Sequence, residues 1–263
     1  MQNPDLLRIS ETVSRLFLRA ETMLPPETGM KIECAMDKPF ESEEGRAALT
    51  DLLLYFVRCG LNGERLFPTT EEAVVYAACG MDRPLSEADL TAAIETGITA
   101  AYRDLPFSPI PAAHITAVPG DHLHLMVQPR TGVGSVILHR ADGAADARAH
   151  CTAITDWLQK QKDILSFPVC LGIGLADSAN AAEALADAAL LRYIDIPNPD
   201  RELDQLEGKI LTESRHLGFG PNSLPGKQAV LAVFVNADTA LAETSFCAVK
   251  AAPALLRRAE AKL

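Results

Sequence analysis

A chain of 263 residues that is 48% hydrophobic, 22% charged and 5% aromatic can bury a sizeable core and does not have the composition of a disordered protein. Its formal net charge of −11 opposes binding to nucleic-acid phosphates or anionic membrane surfaces, and no basic stripe counters it. No apolar run reaches membrane-spanning length, and acids from Asp5 onward interrupt any signal-peptide-like core. The expectation is a cytoplasmic protein with a small-molecule or protein partner, and neither nucleic acid nor membrane.

In chain order, Ile9, Val13, Leu16, Phe17 and Ala20 recur at helical spacing and predict a helix that ends before Pro25-Pro26. A second helix is expected from about Glu44 to Cys59, closed by Gly60 and the Asn62-Gly63 turn. The run Ala73–Ala78 reads as a buried strand, and Ser86 with Asp89 as the capped start of a helix carrying Leu90, Ile94 and Ile98. After a proline-rich connector, strands over Ala112–Val118 and His122–Gln128 flank the turn Pro119-Gly120-Asp121, which predicts a hairpin. Alternation places His122, His124, Met126 and Gln128 on one face and Leu123, Leu125 and Val127 on the other.

A strand over Ser135–His139 and a helix carrying Ile154, Trp157 and Leu158 follow. A strand over Phe167–Gly174 then leads into an alanine-rich helix from about Ser178 to Arg192. Asp200 caps a further helix, which Gly218 should stop. Gln228–Val235 is the clearest strand, and Ala254–Lys262 is expected to close the chain as a helix. With no repeat and no linker long enough to separate two parts, a single domain over 1–263 is expected.

Few of the chemistry-bearing residues form a specific pattern. The six cysteines, Cys34, Cys59, Cys79, Cys151, Cys170 and Cys247, are scattered with no CxxC pair and read as buried hydrophobes. His122 and His124 share a strand face, with His114 on what the hairpin would make the neighbouring strand, a spacing open to a metal or to solvent. Gly172-x-Gly174 is a weak dinucleotide fingerprint, because Asp177 takes the third glycine's place. The two glycines serve either backbone approach to a ligand or close helix packing. Arg130 before Gly132, Gly134 and Ser135 is either an anion nest or a plain turn with an arginine.

Several segments together resemble the α subunit of class I fumarases and L-tartrate dehydratases. Leu217-Gly218-Phe219-Gly220-Pro221-Asn222-Ser223-Leu224-Pro225-Gly226-Lys227 resembles the family's LGIGPQGLGGK, and Phe167–Gly174 resembles its CPPVVVGVGIG. His114 to Asp121 is similar to its PAVIHIEIVPGD, and Arg130–Ser135 to its KGGGSEN loop without the closing Glu-Asn. The resemblance implies an α/β fold of mixed sheets flanked by helices, a possible β subunit, a homodimer, and a small dicarboxylate or other anion as ligand. His114, Arg130, Gly132, Gly134, Ser135, Gly172, Gly174 and Lys227 would lie around that ligand.

It also implies an iron–sulfur hydro-lyase whose cluster needs cysteine thiolates, and those are missing here. Phe67 aligns with the cysteine of the family's CQDTG and Thr69 with its aspartate. Ser166 and Pro253 stand at the other two ligand positions, and Thr239–Ala242 lacks the family's histidine. The expectation is therefore a non-catalytic binding or regulatory relative without a cluster. The alternative is a lyase acting on a hydroxy-dicarboxylate through a cluster relocated to Cys170 and Cys247, or through another metal.

Overall fold

The computed structural model describes residues 4–23, 43–62, 64–66, 70–139, 147–238, 245–253 and 256–263. The chain divides into two compact units. Residues 1–25, 56–131 and 257–263 form the first, and 26–55 with 132–256 form the second. Both are α/β, each built on one four-stranded mixed sheet flanked by helices.

In the first unit, α1 (Pro4–Thr22) and α3 (Glu87–Tyr102) cover one face of a sheet made of β1 (Glu72–Gly80), β2 (Ile110–Val118), β3 (Leu123–Arg130) and β8 (Ala259–Lys262). The helices lie there because each presents an apolar stripe: Ile9, Val13, Leu16, Phe17 and Ala20 on α1, and Leu90, Ala93, Ile94 and Ile98 on α3. These pack on Ala73, Val75 and Ala77 of β1 and Leu123, Leu125 and Val127 of β3. Ser86 caps α3 by accepting from the Asp89 amide at 3.1 Å, as its position predicts. The opposite face of the sheet carries Tyr76, His114, His124, Met126 and Gln128.

Two expectations fail in this unit. β2 and β3 do not form a hairpin, because the strand order is β2-β1-β3-β8, with β1 parallel to β2 and antiparallel to β3. The turn that joins them spends its backbone hydrogen bonds on the residues ending β1. Gly80 N donates to His122 O at 2.8 Å, Met81 N to Val118 O at 2.9 Å and Asp82 N to Gly120 O at 3.0 Å. Gly80 allows this approach, since a Cβ there would sit 2.2 Å from the Gly120 oxygen.

The C-terminal segment is also not a helix. Its described end is β8, paired antiparallel to β3 from His124↔Lys262 to Val127↔Ala259. Alanine favours a helix, but the open edge of β3 offers a hydrogen-bonding partner. The alternation of Ala259, Ala261 and Leu263 toward the core suits a strand.

The second unit orders its strands β4 (Gly134–His139), β7 (Phe246–Pro253), β5 (Val169–Ala176) and β6 (Val230–Ala237). β5 and β6 are parallel, while β7 runs antiparallel to both β5 and β4. On one face Leu171, Ile173, Leu175, Val233, Val235 and Val249 meet α4 (Ala147–Lys160) and α6 (Arg201–Ser214) through Ile154, Leu158, Leu206 and Ile210. The other face is closed by α5 (Ala179–Ala189), whose Ala182 and Ala186 lie against the sheet. Asp200 caps α6 through the Glu202 and Leu203 amides at 2.8 and 3.1 Å. The helix runs on into a 3-10 turn, Arg215–Leu217, which Gly218 ends at φ 75°.

One long helix, α2 (Glu43–Asn62), gives its residues through Tyr55 to the second unit and the remainder to the first. No helix among the described residues is long and apolar enough to cross a membrane.

Candidate functional site

In the second unit the expected site residues gather at one end of the sheet. Val169, at the start of β5, pairs with Pro253 on β7 and with Val230 on β6, and Gly134, at the start of β4, pairs with Ala251. Ser166, Lys227, Gly132, Gly134, Ser135 and Pro253 therefore all lie on or beside the same sheet end. Gly132, at φ 63°, is a close neighbour of Pro253, 3.9 Å from its would-be Cβ to Pro253 Cγ. Ser166, Lys227 and Ser135 are exposed.

The loop over 218–227 is built by its own backbone. Gly220 N donates to Leu224 O at 2.7 Å, Phe219 bridges Pro225, and Asn222 and Ser223 take φ of 52° and 59°. It docks on the segment leading into β5. Asn222 N donates to Phe167 O at 3.2 Å, the Phe167 and Phe219 rings meet edge-on at 4.9 Å, and the Ser223 hydroxyl donates to Lys162 O. The two most specific sequence motifs are thus in direct contact.

Gly172 and Gly174 have a different role. A Cβ on Gly172 would lie 2.4 Å from Ala186 O, and one on Gly174 would lie 1.9 Å from Ala182 O. Both face α5, so close helix packing is what these glycines provide, and that face leaves no room for a nucleotide.

In the first unit Arg130 ends β3 opposite Glu72 and is only 4% exposed. Its Nε donates to Gln128 Oε1 at 2.9 Å, its Nη2 to the Tyr76 hydroxyl at 3.5 Å, and its Nη1 lies 3.9 Å from Glu72. Tyr76 in turn stacks on His114 with centroids 4.7 Å apart. The structure therefore links His114 to Arg130 through Tyr76, a residue that sequence reasoning placed only in a strand. The register Tyr76↔His114 on one side and Tyr76↔Met126 on the other explains the link, but it becomes visible only once β1 is known to lie between β2 and β3.

A second polar cluster in this unit was not anticipated. The Glu21 carboxylate, 0% exposed at the end of α1, accepts from Thr70 Oγ1, Tyr102 OH and Arg257 Nη1, each at 2.6 Å, with Arg65 Nη1 3.5 Å away. Burial pulls the Arg257 guanidinium below its ordinary pKa, and the Glu21 charge opposes that shift. The Tyr102 hydroxyl is raised by burial first and by the neighbouring carboxylate second. A lone glutamate late in an amphipathic helix, with partners spread through the chain, leaves no local signal in the sequence.

The profile of the family described as "Fumarate hydratase (Fumerase)" matches residues 107–262, more than half of the chain. The chain belongs to the fumarate hydratase family. Over 68 residues it is 38% identical to a putative L(+)-tartrate dehydratase subunit alpha of Methanocaldococcus jannaschii, covering 26% of this chain and 24% of that one. It is 34% identical over 68 residues to the L(+)-tartrate dehydratase subunit alpha of Escherichia coli strain K12, covering 26% and 22%. The alpha subunit from Shigella boydii matches to the same extent. These matches span about a quarter of the relatives' own length.

The cluster that the resemblance to iron–sulfur hydro-lyases implies does not fit the described residues of this fumarate hydratase relative. Ser166 offers an exposed hydroxyl and Pro253 offers no donor, while Phe67, Thr69 and Thr239–Ala242 lie outside the described residues, as does Cys34. Nor can Cys170 and Cys247 stand in together. Cys170 pairs with Ala252 and Cys247 with Leu175, so they sit near opposite ends of the β5–β7 ladder, ~17 Å apart at about 3.4 Å per residue. Cys247 is buried among the apolar residues facing α4 and α6, and burial pushes its thiol up to about 12, against the thiolate form that metals need.

The histidine alternative loses its geometry as well. His114 and His124 lie on strands separated by β1, roughly 10 Å apart across the sheet, and His124 Nε2 already meets Glu260 at 2.8 Å. Among the described residues, no group of three or more His, Cys, Asp or Glu side chains is placed to hold a metal.

Proposed function

We propose that this fumarate hydratase relative is a non-catalytic binding or regulatory protein for a small dicarboxylate or a partner subunit, and that it works without a [4Fe–4S] cluster. The observation that carries the reading is a contrast within the chain. Ser166 and Pro253, which the resemblance puts at ligand positions, carry no thiolate, while Arg130 is buried among polar partners. A guanidinium held by the Gln128 side chain and the Tyr76 hydroxyl has the chemistry that pairs with a carboxylate. The segment over 218–227, ending in exposed Lys227, offers a second group with anion-binding chemistry, in the other unit.

The reading includes a single α-subunit-like functional domain over 1–263, a β-subunit partner by analogy with the relatives named as alpha subunits, a homodimer, and a cytoplasmic location. A second reading, a lyase on a hydroxy-dicarboxylate, draws on one observation. Tyr76 and His114 are proton-transfer groups stacked beside Arg130. Both readings are tested by calorimetric titration of wild type, Arg130→Gln and Lys227→Ala with fumarate, malate, tartrate and phosphate, followed by assay of these proteins and of Tyr76→Phe for hydration of fumarate. Binding that weakens in either variant without turnover supports the first reading. Turnover that is lost in Tyr76→Phe supports the second, and no binding to wild type removes the ligand from the account.

A further inference from the structure

The buried Glu21 cluster in the first unit touches Leu66 and Thr70, just before β1, and the end of β3, where Arg130 lies. On one side, Leu66 N donates to Glu21 O at 2.8 Å and the Thr70 hydroxyl to the Glu21 carboxylate, so both ends of the stretch 66–70 are fastened to one residue. On the other side, Arg257, paired with Glu21 at 2.6 Å, reaches Pro129 O and Thr131 Oγ1, each at 3.4 Å. Arg130 lies between those two acceptors, and its own carbonyl accepts from Glu71 N at 2.8 Å. The chain from 66–71 through Glu21 and Arg257 to 129–131 therefore closes into a ring of contacts around the start of β1 and the end of β3.

Such a ring costs desolvation. Glu21 and Arg257 are 0% and 1% exposed, and buried ion pairs give little net stability compared with apolar residues of similar volume. What the pair does provide is directional. The guanidinium holds Glu21 through Nη1 and reaches acceptors on both sides of Arg130 through Nη2, and a carboxylate with three short bonds has little freedom to move.

We propose that Glu21 and Arg257 are positioning residues, whose ion pair ties Leu66 and Thr70 to the end of β3 and so sets the place of Arg130 for an anionic ligand. The ligand half of this inference rests on the proposed function, while the coupling of the two segments does not. Arg65, 3.5 Å from Glu21 and 5.0 Å from the Tyr102 ring centroid, braces the same carboxylate.

The experiment has two arms on the full chain. In the first, amide hydrogen exchange is followed by mass spectrometry in wild type, Glu21→Gln and Thr131→Val, on peptides spanning 64–71 and 124–131. Peptides from β5 and β6 serve as the internal reference. Glu21→Gln should speed exchange in both first-unit peptides by about tenfold while the reference stays unchanged, because a local opening and not global unfolding is being read. Thr131→Val removes one acceptor of Arg257 and leaves the ion pair whole, so it keeps the test alive if Glu21→Gln does not fold. It should speed both peptides in the same direction, by less.

In the second arm, calorimetric titration with fumarate should give a Kd about tenfold weaker in Thr131→Val than in wild type at a temperature where both are folded, a loss that a purely structural change would not produce. Exchange that is unchanged in both peptides, changed in only one, or raised equally in the reference overturns the coupling. Exchange that rises as expected while wild type and Thr131→Val bind fumarate alike overturns the ligand role. If wild type binds no anion, it is the proposed function that fails, and the exchange arm still decides the coupling.

Discussion

The two units solve the same problem, a four-stranded mixed sheet with helices against it, by different physical means. In the first unit a fully buried carboxylate, Glu21, gathers side-chain donors from Thr70, Tyr102 and Arg257. In the second, the corresponding polar anchor is Glu207, which accepts from the Val235 amide at 2.8 Å, from Asn198 Nδ2 at 2.7 Å and from Arg192. Glu207 sits at the rim and pins a helix to a strand. Glu21 sits in the interior and holds Leu66, Thr70, Tyr102 and Arg257, residues far apart in sequence. The second unit otherwise relies on shape, with Gly172 and Gly174 admitting α5 onto the sheet. Residues brought together from distant parts of the chain are held in register by directional bonds, whereas a helix on a sheet needs only complementary surfaces.

The contrast can be broken most sharply at Glu21. Glu21→Ala leaves Arg257 charged and buried without its partner, and about 3–5 kcal/mol of stability should be lost in denaturant unfolding, with the loss concentrated in the first unit. Equal destabilisation of both units would erase the distinction. Next in size is Gly174→Ala, whose new methyl would lie 1.9 Å from the Ala182 oxygen. The helix backbone must then move, at ~1–3 kcal/mol, and a neutral result by thermal unfolding would show that α5 is not seated as described.

A smaller effect appears in alkali. Burial raises the Cys247 thiol from 9.0 up to about 12, so the unfolded chain loses this proton first and the native state holds more protons in that window. The contribution is complete below pH 9 and is lost as pH rises toward 12, about 1.4 kcal/mol per pH unit. Tyr102, also raised by burial, titrates in the same direction, so the slope should flatten in Cys247→Ala without vanishing. An unchanged slope in that variant would place the thiol in contact with water. Smallest of all, Lys227→Ala should change stability by no more than ~0.5 kcal/mol, since the side chain is exposed, and any change in phosphate or fumarate titration would then belong to binding.

Much of the fold was legible because it is written in short-range patterns. The stripes of α1 and α3, the caps at Ser86 and Asp200, the stop at Gly218 and the alternation of β3 all depend on residues close in sequence. What failed depends on pairing at a distance. Pro119-Gly120-Asp121 has hairpin chemistry, but its hydrogen bonds go to Gly80, Met81 and Asp82, so β1 enters between the strands. The alanines near the C-terminus read as helix until the free edge of β3 is known.

The candidate site was legible in part. The motifs over 166–174 and 218–227 do meet, and His114 and Arg130 are linked, but through Tyr76. Gly172 and Gly174 matched a ligand-binding pattern, yet they serve packing. The Glu21 cluster was invisible, because its members stand at positions 21, 65, 70, 102 and 257 with no spacing to connect them.

The central claim, a fumarate hydratase relative that has given up its cluster, is tested most directly by anaerobic reconstitution with iron and sulfide, followed by the visible spectrum and metal content of the desalted protein. The account predicts a colourless protein with no stoichiometric iron, because Ser166 and Pro253 supply no thiolate and Cys170 and Cys247 lie too far apart to share a cluster. A brown preparation holding about four irons per chain, whose colour is lost in Cys170→Ser or Cys247→Ser, would contradict it.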